Sequence, residues 1–179
     1  MLSHHLDELI RIQRETGSAL LYDASACGSI PVIRNLEEYY DNDLLTSIRG
    51  ILNGSSNFIL SRIFNHGESY NIALKKAQDL GFAESNPAFD VMGFDALYKL
   101  IILTVHGFGT YIHPNDAFCY GIHNLSKYDI RYAQEQGKKI KLVATLRKLD
   151  NDNFTYLFCP PLLIPTITFT MLRTSSTEL

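Results

Sequence analysis

Apolar residues at Leu6, Leu9, Ile10 and Ile12 recur with charges between them, and the run stops at Gly17. This predicts an amphipathic helix over residues 4–16, with a glycine just past its end. A short apolar run over 19–22 leads into the small residues 23–31, and a second helix follows, ending near Tyr40. Asn42 and Asp43 signal a turn. Residues 44–52 read as a strand, and 53–57 as a loop in which Ser55 or Ser56 caps a helix through Phe64. Ser69 is the candidate cap of a helix over 69–80, with Ile72, Leu74, Ala77 and Leu80 facing inward and Gly81 closing it. An irregular acidic stretch, 82–93, separates it from a dense helical pattern over 94–106, and 126–136 gives another helix ending at Gly137. Residues 139–148 and 154–158, joined by the polar turn 150–153, predict a β-hairpin. The fold class expected is α+β, a mixed β-sheet with helices packed on one face.

With 179 residues, 46% hydrophobic and 20% charged, the chain has the profile of one globular domain. A net charge of -3 offers no electrostatic footprint for nucleic acid or an anionic membrane. No apolar run approaches the ~20 residues needed to span a bilayer. The first ten residues hold neither a basic leader nor a small-residue cleavage site. Cys27, Cys119 and Cys159 are odd in number and lack CxxC spacing, which argues against a disulfide framework and a structural zinc site. A reducing cytoplasm is the expected setting. The adjacent His4 and His5 read as a solvated N-terminal turn rather than a metal clamp.

The most informative stretch runs from Ala77 to Lys99 and gathers Glu84, Asp90, Asp95 and Lys99. Asp95 and Lys99 are four apart, which places them on one helix face. Spacing alone favours an ordinary surface ion pair, worth roughly 0.3–0.5 kcal/mol. The neighbourhood argues otherwise, because Leu97, Leu100, Ile101 and Ile102 crowd Lys99 in the sequence, and a lysine so placed is a candidate proton donor. Residues 50–60, Gly-Ile-Leu-Asn-Gly-Ser-Ser-Asn-Phe-Ile-Leu, read as strand, turn and capped helix. They also offer backbone donors and a hydroxyl at Gly54 and Ser55 to a ligand at a helix N-terminus, although such a turn alone is a weak signal.

Together and in this order the two segments resemble homoserine dehydrogenases, whose pattern G-I-x-N-G-T-x-N-Y-I-L is followed by A-Q-x-L-G-Y-A-E-x-D-P-x-x-D-V-x-G-x-D-A-x-x-K-L. Residues 23–31, Asp-Ala-Ser-Ala-Cys-Gly-Ser-Ile-Pro, are similar to the family's E-A-S-V-x-G-x-I-P, and Gly121-Ile122, Asp129-Ile130 and 140–142 to its downstream block. The resemblance covers about Leu6 to Phe158. Departures are Ser55 for Thr, Phe58 and Phe82 for Tyr, Asn86 for Asp and Asp23 for Glu.

The resemblance implies an oxidoreductase that interconverts L-aspartate 4-semialdehyde and L-homoserine with NADP or NAD, in threonine, methionine and isoleucine biosynthesis. It implies Lys99 as the proton donor to the carbonyl oxygen, with Asp95 and Glu84 holding the hydroxyl and α-amino ends of the substrate. Asp90 would support the lysine, Gly54 and Ser55 would contact substrate or nicotinamide, and Phe82 would face the substrate without the family's hydroxyl. The carbonyls of Asp23, Ala26, Gly28 and Ile30 resemble a loop that holds a monovalent cation, Na or K. A homodimer is implied, and Glu84, Asp90, Asp95 and Lys99 are expected to line one concave site.

No G-x-G-x-x-G or βαβ unit is present, so dinucleotide binding in the Rossmann manner is not expected of these residues. An Ala-Asn-Lys motif that precedes the first helix in the family is also absent. The expected division is a catalytic domain over 1–158 and an atypical tail over 159–179. The neighbouring reading frame can encode a family-like ending, so a frameshift near Phe158 is the expected origin of the tail. The alternative to the enzyme reading is an inactive fragment that folds and self-associates.

Overall fold

A computed structural model describes residues 2–28, 30–39, 45–149, 154–158 and 162–165. The chain divides into two compact units. The first comprises Met1–Leu52, Phe94–Cys119 and Ala144–Phe158, the second Asn53–Gly93, Tyr120–Val143 and Cys159–Leu179. Helices mix with small antiparallel sheets, the α+β class expected from the pattern.

In the first unit α1 spans Leu6–Thr16, and Gly17 closes it at φ 70 with its N–H bonded to Gln13. Helix α2 spans Val32–Tyr39 and strand β1 Ser47–Gly50. Helix α6, Phe94–Phe108, is buried over most of its circumference, from Ala96 and Leu97 through Gly107. A helix apolar on every side belongs in an interior. Gly107 sits there because a Cβ would lie 3.0 Å from Leu45 and 3.2 Å from Ile48, so its absence lets the β1 region ride close. Strand β3, Ala144–Lys148, pairs antiparallel with β1 on one side and with β4, Phe154–Phe158, on the other. The expected hairpin therefore forms. Leu6, Ala26, Ile33, Ile102 and Leu103 make one core cluster.

The second unit is built on α3, Gly54–His66, packed against α4, Tyr70–Asp79. Ser69 caps α4 and Ala77 is buried as expected, with Leu74 half-buried, but the rest of the inward face differs: Ala73 is buried, whereas Ile72 is 52% and Leu80 64% exposed. Two small side chains let the α4 backbone approach α3 closely, and that contact decides the face. Asn53, ahead of the serines, caps α3 by accepting a hydrogen bond from the Ser56 N–H at 2.8 Å, in place of the expected Ser55 or Ser56. The stretch expected to be irregular contains a short helix, α5, Ala88–Val91. Helix α7, Lys127–Glu135, opens with a reciprocal capping box between Ser126 and Asp129. Strand β2, Lys138–Lys141, pairs antiparallel with β5, Leu162–Pro165. The single strand expected over 139–148 is thus two, broken at Leu142 and Val143. Residues 140–144 are all buried, so no alternation held them to one ladder. The segments 40–44, 150–153, 159–161 and 166–179, with the predicted turns at 42–43 and 150–153 and most of the predicted tail, lie outside the described residues.

Candidate functional site

Asp95 and Lys99 lie in the first turns of α6, where the helix dipole favours a carboxylate. Their four-residue spacing is realised as an ion pair, Nζ to Oδ2 at 2.8 Å, with the two side chains 25% and 24% exposed. The Lys99 Nζ also donates to the Leu52 carbonyl at 3.1 Å. The ammonium is thus held by two acceptors and partly shielded from water, yet still reachable. Geometry of this kind suits a group that must present one proton in a fixed direction.

The small-residue loop of the same unit opens with a 3-10 turn over Asp23–Ser25. The Asp23 carbonyl accepts from the N–H groups of Ala26 at 3.2 Å and Cys27 at 3.5 Å, and the Ile30 carbonyl from Val32 at 2.8 Å. Buried Ala26 anchors the loop in the core cluster. Burial pushes the Cys27 thiol up and the Lys99 ammonium opposes that shift, so the loop lies within electrostatic reach of the lysine. Carbonyl oxygens are the hard donors a monovalent cation takes; the Ile30 oxygen keeps a second lone pair beyond its hydrogen bond, whereas the Asp23 oxygen already accepts twice, so the set suits such an ion in kind of donor.

In the second unit the Asn53 amide does two tasks at once. Its oxygen caps α3, and its Nδ2 donates to Asp90 Oδ1 at 2.7 Å, fixing the α5 carboxylate to the start of α3. The Ser55 hydroxyl donates to the Phe82 carbonyl at 2.5 Å. Gly54 and Ser55, the first two residues of α3, precede the N–H that the Asn53 side chain takes, so they present amide donors to a carbonyl or carboxamide oxygen. The Phe82 ring, 52% exposed, stacks on Phe58 with centroids 4.6 Å apart. The two departures from Tyr therefore touch each other and form an apolar pair. Glu84 is exposed, while its main-chain carbonyl is held by Gln78 Nε2 at 3.1 Å.

The sequence reading missed Asn53 as a bridge, the Leu52 carbonyl as lysine acceptor, and Lys141. Lys141 is 1% exposed, donates to Asn57 Oδ1 at 2.6 Å and Ser61 Oγ at 2.8 Å, and is pushed by burial down to about 7. Nothing in Lys138-Lys-Ile-Lys141 distinguishes the inward lysine except its place beside Ile140 and Leu142. His4 is also corrected: it is half-buried and hydrogen-bonded to the Tyr98 hydroxyl at 3.0 Å, whereas His5 is solvated as expected. Tyr98 lies on the core helix, and that contact draws the first histidine inward.

The α+β fold and its motifs are those of an oxidoreductase family. The chain belongs to the homoserine dehydrogenase family, whose model matches residues 31–174. It is 36% identical over 154 residues to the homoserine dehydrogenase of Lactococcus lactis, covering 86% of this chain and 36% of that protein. Over 148 residues it is 39% identical to the Helicobacter pylori enzyme, covering 83% and 35%. The crystal structure of a homoserine dehydrogenase from Thiobacillus denitrificans superposes with a TM-score of 0.84 at 36% identity, over 92% of this chain and 38% of that one. The chain therefore spans little more than a third of the length of the relatives it matches. Among the described residues no helix is long and apolar enough to cross a membrane.

Proposed function

We propose that this chain supplies the substrate side of the NAD(P)-dependent interconversion of L-aspartate 4-semialdehyde and L-homoserine. The observation that supports it most is the 2.8 Å pair of Lys99 and Asp95, held on the Leu52 carbonyl within a family-specific motif. In the reductive direction Lys99 Nζ gives its proton to the carbonyl oxygen, and Asp95 holds the ammonium in line and accepts from the new hydroxyl. Glu84 binds the substrate α-ammonium. Asp90 acts through Asn53, keeping the α3 start in place, so it is a positioning residue. Gly54 and Ser55 orient substrate or nicotinamide by their amides, and Phe82 supplies an apolar wall. When bound, NADPH or NADH would supply the hydride, leaving as NADP or NAD. The carbonyls of Asp23, Ala26, Gly28 and Ile30 would hold a sodium or potassium ion, the assembly is a homodimer, and the setting is cytoplasmic.

General acid catalysis contributes about 10²–10⁴-fold, whereas fixing nicotinamide against the carbonyl is worth ~7–11 kcal/mol of barrier. The second reading is a folded, self-associating unit that binds substrate without turnover. Calorimetric titration with L-homoserine tests the site. Saturable binding is expected, weakened roughly 10–100-fold by Glu84→Gln and by Asp95→Asn, the worth of one charge-assisted hydrogen bond. Absence of binding, or binding indifferent to both substitutions, overturns the assignment. Following nicotinamide absorbance with NADPH and aspartate semialdehyde distinguishes the two readings, and negligible turnover is expected.

A further inference from the structure

His106, in the last turn of α6, sits between two partners that the dehydrogenase reading leaves without a task. Its Nδ1 is 2.8 Å from Glu37 Oε1 on α2, and its Nε2 is 2.7 Å from the Tyr22 hydroxyl. With Nδ1–H given to the carboxylate, Nε2 accepts from the phenol, so the three side chains form one continuous hydrogen-bonded wall. The wall is firm at its centre, where the His106 side chain is 14% exposed, and open at its end, where Glu37 is 58% exposed.

This wall lines a cleft of about 770 Å³ within the first unit. Ile10 and Val105 supply apolar lining, and Arg14 of α1 contributes a cation. Gly17 and Gly109, which follow the last residues of α1 and α6, also line it. Two helix C-termini carry partial negative charge, and the Glu37 carboxylate adds a full one, so one part of the cleft favours an ammonium group. Arg14 is exposed, makes no ion pair among the described residues, and offers the planar fork that matches a carboxylate. On the other side the same wall borders a smaller hollow of about 410 Å³ lined by Asp23, at the head of the small-residue loop.

We propose that this cleft binds a free α-amino acid with a small apolar side chain: ammonium on Glu37 and the helix ends, carboxylate on Arg14, side chain on Ile10 and Val105. The pairing of opposite charges selects a zwitterion over a simple amine or a simple acid. Tyr22 immediately precedes the loop, so an occupant that pulls on Glu37 also bears on the loop through His106. The proposal does not depend on the dehydrogenase reading.

The test uses this chain with L-valine as probe, and isobutylamine and 3-methylbutanoate as the same skeleton lacking carboxylate or ammonium. Titration followed by backbone amide shifts should show saturable L-valine binding that moves Gln13, Ser18 and Gly109. Each half-probe should bind roughly tenfold or more weaker, and Arg14→Gln and Glu37→Gln should each weaken L-valine by a similar factor. Glu84→Gln should leave it unchanged, which separates this cleft from the substrate site. Tyr22→Phe should preserve binding while abolishing shifts at Ala26 and Cys27. No saturable shift at the cleft, equal binding of a half-probe, or loss on Glu84→Gln would overturn the proposal.

Discussion

Gly121→Ala is a severe test of how the second unit is held. A Cβ built at Gly121 falls 1.9 Å from the Val91 carbonyl oxygen and 2.4 Å from the Met92 backbone. Both obstacles are main chain, so no rotamer can relieve the clash, and reaching an ordinary contact needs a backbone shift of about 1 Å. The neighbouring Ile122 N–H donates to that same carbonyl at 2.7 Å, and the shift would break this bond. Overpacking costs typically 1–3 kcal/mol, and a lost buried hydrogen bond about 1 more. We expect destabilisation of about 3 kcal/mol, lowering the thermal midpoint by roughly 6–12 °C. Val91 follows Asp90, so the disturbance reaches the Asp90–Asn53 bond. The assay is thermal unfolding by circular dichroism, with the Asn53 side-chain amide followed by NMR. A midpoint within about 2 °C of the parent, with the amide signal unmoved, would refute the packing argument.

Lys141 predicts a pH dependence. Its folded pKa is lowered to about 7 from 10.5, so between those values the unfolded chain holds a proton the native one lacks, and stability rises with pH. The slope between pH 7 and 9, at most about 1.4 kcal/mol per unit, should vanish in Lys141→Met, as denaturant unfolding across that range would show. The upper bound keeps clear of Cys119, which burial pushes up to about 11 and which acts with the opposite sign above pH 9. Glu68 is held at about 2 by Arg62 and Lys76, so its contribution is present above pH 4.5 and lost as pH falls towards 2. Glu68→Gln should flatten acid unfolding in that window. Sequencing the gene tests the proposed frameshift: the frame adjoining codons 159–179 should encode a family-like ending.

Local chemistry was legible wherever one residue does one job. Gly17, Ser69 and Ser126 mark helix ends in the sequence and in the structure, and the Asp95–Lys99 spacing translates directly into an ion pair. Inward faces were less legible, because hydrophobicity and burial are different properties. On α4 the alanines win the interface by being small, and Ile72 and Leu80 are left outside. Contacts that join distant segments carry no local signature. The Asn53–Asp90 bond spans 37 residues and the Lys99–Leu52 bond 47. His106 and Lys141 look like ordinary polar positions until α2, Tyr22 and α3 are brought against them.

The most direct test of the account is a map of where L-homoserine binds. Backbone amide shifts of the labelled chain, titrated with L-homoserine, should move at Gly54, Ser55 and Glu84 and in the first turns of α6 at Asp95 and Lys99, saturating together with one dissociation constant. Shifts confined to other surfaces, or none at these five residues, would contradict the proposal that these motifs bind homoserine.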